Sequence, residues 1–117
     1  MELVALLGQD KESWGQVLGL INHGQWDKVI LVKTSKNEFV SSHPNTEEVF
    51  IDSSLPILEM KSMLLDKLKS KFSEFEAFLS IASGNGKEHM ALISALLTVP
   101  VGIRLVVFTK KGIKFAN

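Results

Sequence analysis

Ser83-Gly84-Asn85-Gly86-Lys87 is the stretch whose residue types and spacing best suit a ligand. It follows the β-rich run Ala77-Phe78-Leu79-Ser80-Ile81-Ala82 and precedes a helical segment from Lys87 to Thr98, so it reads as a strand, glycine loop, helix junction. Gly84 and Gly86 allow close backbone approach, and the helix start aims unsatisfied N–H groups and the positive end of its dipole at whatever sits there. Lys87 adds a full charge at the same place. A cation in the first turn opposes the dipole at a cost of roughly 0.3–1 kcal/mol, which an anion such as phosphate would offset. The plainer reading of the same residues is a tight turn followed by a solvated lysine.

Named phosphate motifs do not fit. A P-loop around Gly86-Lys87 needs Gly where Ile81 stands and Ser or Thr where Glu88 stands. A dinucleotide fingerprint starting at Gly84 fails at its sixth position, His89. ATP hydrolysis and hydride transfer are therefore disfavoured. His23, His43 and His89 lack metal-ligand spacing, and no metal or cofactor is expected. His89, one turn from the glycine loop, is a candidate acid or base, with helix packing the commoner job for such a residue. Glu88 suits a helix N-terminus better than catalysis. No nucleophile elbow and no Ser, His, Asp order is present, so catalytic residues stay unassigned.

A second loop, Gly8-Gln9-Asp10 to Ser13, follows the apolar run Leu3 to Leu7. In an open parallel sheet ligands collect beyond the carboxyl ends of the strands, where strand order reverses, and the two loops are placed to share such a crevice. Ser13 and Ser83 would face it, although each is also a good N-cap.

The elements that must position these loops follow from periodicity. Leu3–Leu7 and Lys28–Thr34 read as strands buried on both faces, with Val49–Asp52 a brief third strand and a loop from Ser35 to Thr46 between the last two. Trp14, Val17, Leu18 and Ile21 mark one amphipathic helix; Ile57, Met60, Leu64, Leu68 and Phe72 mark another, opened by Pro56. Ile103–Thr109 and Ile113–Phe115, joined by Lys110-Lys111-Gly112, read as an antiparallel hairpin. Strands alternating with helices imply right-handed crossovers. The predicted fold is therefore α/β: a three-layer, Rossmann-like, mostly parallel sheet with a C-terminal antiparallel hairpin, as one domain over 1–117.

Composition narrows the partners. The formal net charge is +0, with 13 basic and 13 acidic residues, so no global field favours duplex DNA or an anionic membrane. Arg104 is the sole arginine, so an anion site relies on Lys and backbone N–H groups. Cysteine is absent, which removes disulfides, thiolate metal sites and cysteine nucleophiles. The start of the chain lacks a basic region and a long apolar core, and no stretch approaches the roughly 18 apolar residues of a membrane span, so a cytoplasmic location is expected. Between Met90 and Leu97 apolar residues occur on nearly every face of the helix. Such a helix is covered on two sides, by the sheet and by either a neighbouring element or a second copy of the chain through Met90, Leu92, Ile93 and Leu96.

At these residues the sequence resembles the CRISPR-associated Rossmann-fold domains, sensors of cyclic oligoadenylates. The run from Ser80 to Leu92 is similar to their second motif, Gly8-Gln9-Asp10 to Ser13 occupies the first, and Gly102–Thr109 with its hairpin looks alike. The resemblance implies a homodimer with one twofold ligand site, where Lys87 and the Gly84–Gly86 amides hold phosphates or riboses. The implied ligand set is Gly8, Gln9, Asp10, Ser13, Ser83, Gly84, Asn85, Gly86 and Lys87. Three functions follow as expectations: a nucleotide-sensing module binding a cyclic oligoadenylate; a metal-independent ring nuclease driven by the substrate's own 2′-hydroxyl; or a non-catalytic assembly subunit docking through the Met90–Leu97 helix.

Overall fold

A computed structural model describes residues 1–34 and 37–117. Six strands form one sheet: β1 (Glu2–Leu7), β2 (Lys28–Lys33), β3 (Thr46–Phe50), β4 (Glu76–Ser80), β5 (Gly102–Thr109) and β6 (Gly112–Phe115). Their order is β3-β2-β1-β4-β5-β6, parallel throughout except for the antiparallel β5–β6 pair. Three helices cover it: α1 (Trp14–His23), entered through a 3₁₀ turn at Lys11–Ser13, α2 (Ile57–Leu68) and α3 (Gly86–Thr98). The α/β class, the mostly parallel sheet and the C-terminal hairpin match the sequence reading.

The central strands are apolar on both faces because both faces are covered. Alternation splits β1 between two cores. Val4 and Leu6 join Met60, Leu64, Leu68, Leu92 and Leu96 beneath α2 and α3, whereas Leu3, Ala5 and Leu7 join Val17, Leu20, Ile21 and Trp26 beneath α1. Each fully buried leucine contributes about 1.5–3 kcal/mol relative to its exposed state. No helix among the described residues is long and apolar enough to cross a membrane.

Differences from the sequence reading have local causes. β3 starts at Thr46, earlier than the Val49 start predicted, since an edge strand carries charges without losing its pairing. Glu47 pairs with Lys28 and Lys71, and Glu48 with the buried Lys33, so the segment Thr46-Glu47-Glu48 hides its strand character in ion pairs. In α1, Leu18 faces outward, and the helix instead buries Gly19 with Val17, Leu20 and Ile21. Gly19 allows this, because a Cβ there would stand 2.3 Å from the Phe108 ring. Phe72 lies beyond the end of α2, partly buried against its core. Of the predicted loop 35–46, Ser35 and Lys36 lie outside the described residues, and 37–45 contains neither helix nor strand.

Candidate ligand-binding site

The strand order reverses between β1 and β4, which run side by side in parallel, each followed by a loop to a helix. α1 covers one face of the sheet and α3 the other, so these loops part at their tips. A cavity of about 330 Å³ opens there, lined by Gln9, Asp10, Ser53, Gly84, Asn85 and Glu88.

Its walls are held by bonds between the two loops. Ser83 is fully buried and acts as a strut: its Oγ accepts from the Gly8 N–H at 2.8 Å and donates to Asp10 Oδ1 at 3.1 Å. The Gly84 N–H donates to the same oxygen at 3.0 Å. Burial pushes the Asp10 carboxyl up, but hydrogen bonds from the Gly84 backbone, Ser13 and Ser83 outweigh it and hold the group below its ordinary value. Asp10 is therefore an anion that fastens the crevice.

The glycines make this closeness possible. A Cβ on Gly8 would lie 2.6 Å from the Gly84 Cα, and Gly84 has φ +94° with Leu6 Cδ2 only 2.4 Å from where its Cβ would be. Neither position accepts a side chain without moving backbone or core. Gly86 differs, because a Cβ there meets nothing within 4 Å.

The helix start is largely capped from within. Asn85 accepts from the Glu88 N–H at 2.9 Å and Glu88 Oε1 accepts from the Asn85 N–H at 2.9 Å, a reciprocal capping box. Among the described residues the N–H groups of Gly86 and Lys87 have no acceptor, leaving two donors for an incoming group. Lys87 sits at the side of the opening, with Nζ donating to the Ser53 carbonyl at 2.7 Å. Asp52, held low first by its hydrogen bonds to Ser54, also feels the Lys87 charge. The dipole cost assigned to Lys87 from sequence is thus met partly inside the chain, and its Nζ ties α3 to the segment before α2.

Of the nine residues proposed from sequence, Gln9, Asp10, Gly84 and Asn85 line the cavity. Gly8 and Ser83 support it from behind. Gly86 and Lys87 stand at the first turn of α3. Ser13 does not reach the cavity: its hydroxyl turns back to the Asp10 carbonyl at 2.7 Å and makes no side-chain cap. His89 Nε2 bonds the Ser83 carbonyl at 2.8 Å, the packing role rather than that of an exposed acid or base. Ser53 and Glu88 line the cavity without having been counted in the set. The capping pattern Asn85-x-x-Glu88 was the signal for Glu88; Ser53 follows an edge strand and had none.

The helix face assigned to a partner is also divided. Leu92 and Leu96 are fully buried within the chain's own core, so they offer no surface to a second copy. Met90 and Leu97, 60% and 63% exposed, are the apolar residues that α3 turns outward, with Ile93 partly covered. Among the described residues no group of three or more His, Asp or Glu is placed to hold a metal ion. Compared with known proteins, the chain matches no family model, no curated protein and no solved structure.

Proposed function

We propose that the chain is a ligand-binding module that takes a ribonucleotide in the crevice between the β1 and β4 loops. The observation that carries this reading is a cavity of about 330 Å³ at the strand-order reversal, walled by Asp10, Gly84, Asn85 and Glu88. The free Gly86 and Lys87 N–H groups, with the Lys87 ammonium beside them, suit a phosphate at the mouth.

The resemblance to CRISPR-associated Rossmann-fold sensors names the ligand more finely: a cyclic oligoadenylate bridging two copies. Met90 and Leu97 lie on the helix whose first turn borders the crevice, so a second copy seated on them brings its own crevice close. In this reading the module is cytoplasmic and signals by occupancy rather than by turnover.

Calorimetric titration of cyclic tetra- and hexa-adenylate into the chain tests it. Saturable heat with a Kd in the micromolar range or tighter, lost in Gly8→Ala, supports the reading. No heat from either ring at high micromolar concentration counts against it.

A further inference from the structure

Glu88 is 4% exposed, and it is one of the residues lining the crevice. Its Oε1 accepts the Asn85 N–H at 2.9 Å, while Oε2 has neither a hydrogen-bond nor an ion-pair partner among the described residues. The side-chain atoms that are both sealed from solvent and unpartnered, among those residues, are Thr34 Oγ1 and Ser80 Oγ. Oε2 is therefore unpartnered but open, and the crevice is the opening that Glu88 borders. A carboxylate oxygen is charged and only accepts, so holding it in a nearly buried position without a donor is costly. Native proteins leave few such groups, and a ligand that supplies the donor is a physical reason to keep this one.

The charges around Oε2 decide what kind of group that is. The other charged residue lining the crevice is Asp10, whose Oδ1 takes the Gly84 N–H at 3.0 Å and the Ser83 hydroxyl at 3.1 Å. The two carboxylates flank Gly84: its N–H meets Asp10 Oδ1, and a Cβ on it would lie 2.9 Å from Glu88 Oε1. Gln9, Ser53 and Asn85 add neutral groups, and among the described residues no lysine, arginine or histidine is part of the lining. Lys87 Nζ is bound to the Ser53 carbonyl. A phosphate oxygen set against Oε2 would bring like charge to like charge with no proton to donate. A group with an N–H or O–H would instead meet the same oxygen in a charge-assisted hydrogen bond. The first two residues of α3 offer the reverse, since the free Gly86 and Lys87 N–H groups only donate and suit phosphate. One helical turn thus presents donors from the backbone of residues 86 and 87 and an acceptor from the side chain of Glu88.

We propose that Glu88 Oε2 is an acceptor subsite that takes an N–H or O–H of the nucleoside and leaves phosphate to the Gly86 and Lys87 amides. This rests on the nucleotide reading of the crevice and deepens it. In a 3′,5′-linked cyclic oligoadenylate every 3′- and 5′-hydroxyl is esterified and every phosphate is a diester. At neutral pH its donors are therefore the adenine amino group and the ribose 2′-hydroxyl. Both offer a carboxylate the same chemistry, and rings lacking one or the other tell them apart.

The test titrates cyclic tetra-adenylate calorimetrically, in EDTA, into the wild-type chain and into Glu88→Gln. Glutamine keeps an oxygen for the Asn85 N–H and so turns its NH₂ group to the crevice, replacing an acceptor by a donor. The variant is expected to bind about tenfold more weakly or worse. The wild type is expected to lose a similar factor for at least one of two other rings, that of purine riboside, which lacks the amino group, or that of 2′-deoxyadenosine. For the ring that loses affinity, Glu88→Gln should cost little more. Equal or tighter binding by Glu88→Gln, the result expected of a phosphate against Oε2, overturns the subsite and leaves the nucleotide site standing. A Glu88→Gln penalty of the same size on all three rings also overturns it. So does a wild-type affinity that is the same for all three, a comparison that depends on no variant folding. No heat from any ring with the wild-type chain removes the subsite and the nucleotide site together.

Discussion

The Gly84 N–H donates to Asp10 Oδ1 at 3.0 Å, joining residues 74 positions apart. Ser83 Oγ reaches the same oxygen at 3.1 Å, so one carboxylate fastens the loop after β1 to the loop after β4 at the place where strand order reverses. The crevice is therefore built by a charge-assisted tie between two loops, and its integrity depends on that charge.

A pH dependence follows. The Asp10 carboxyl is held below its ordinary value of 3.8, so its stabilisation is fully present above that value and is lost as pH falls through the lower folded one. Urea melts at pH 7 and pH 3 should show a smaller acid loss in Asp10→Asn than in wild type. At pH 7 the variant should be less stable by about 1 kcal/mol. Parallel curves for the two proteins would deny Asp10 this role; the comparison cancels Asp27, Glu47 and Asp52, whose carboxyls are also held low.

The three glycines of the two loops should respond differently to alanine. In Gly8→Ala the new methyl meets the Gly84 backbone, and in Gly84→Ala it meets Leu6 at φ +94°, so each should destabilise by about 1–3 kcal/mol and weaken ligand binding. Gly86→Ala enters open space in the first turn of α3 and should be neutral or stabilising by up to about 1 kcal/mol. Thermal melts of the three variants check the order.

Asn85→Ala removes the side-chain acceptor of the capping box and should cost about 1 kcal/mol. Glu88→Gln keeps an oxygen for the Asn85 N–H and should cost less, so equal losses in the two variants would contradict the assignment.

The outward and inward residues of α3 separate association from folding. Met90→Asp with Leu97→Asp should shift light-scattering mass from dimer to monomer with little change in melting temperature. Leu92→Ala should instead cost about 2–5 kcal/mol, since its side chain is fully buried. A wild-type chain that is monomeric at high concentration would remove the dimer from the proposal.

The sheet was legible in the sequence because its central strands are apolar on both faces, a pattern that Leu3–Leu7 and Val29–Val32 display without interruption. The glycine loop was legible for a related reason, as two loops meeting at backbone distance require Gly8 and Gly84. Thr46-Glu47-Glu48 was hidden because ion pairs make an edge strand look like a loop. Leu92 and Leu96 looked available because periodicity alone does not say which flank of an apolar helix the chain covers itself. Ser53 comes from a segment remote in sequence from either loop, and the pairing of β3 with β2 is needed to bring it to the cavity.

The most direct measurement is a map of amide ¹H–¹⁵N shifts during titration with cyclic tetra-adenylate. The expected result is saturable shifts concentrated at Gly8, Gln9, Asp10, Gly84, Asn85, Gly86 and Lys87. Shifts centred on the hairpin of β5 and β6 or on α1, or none at millimolar ligand, would contradict the placement of the site between the β1 and β4 loops.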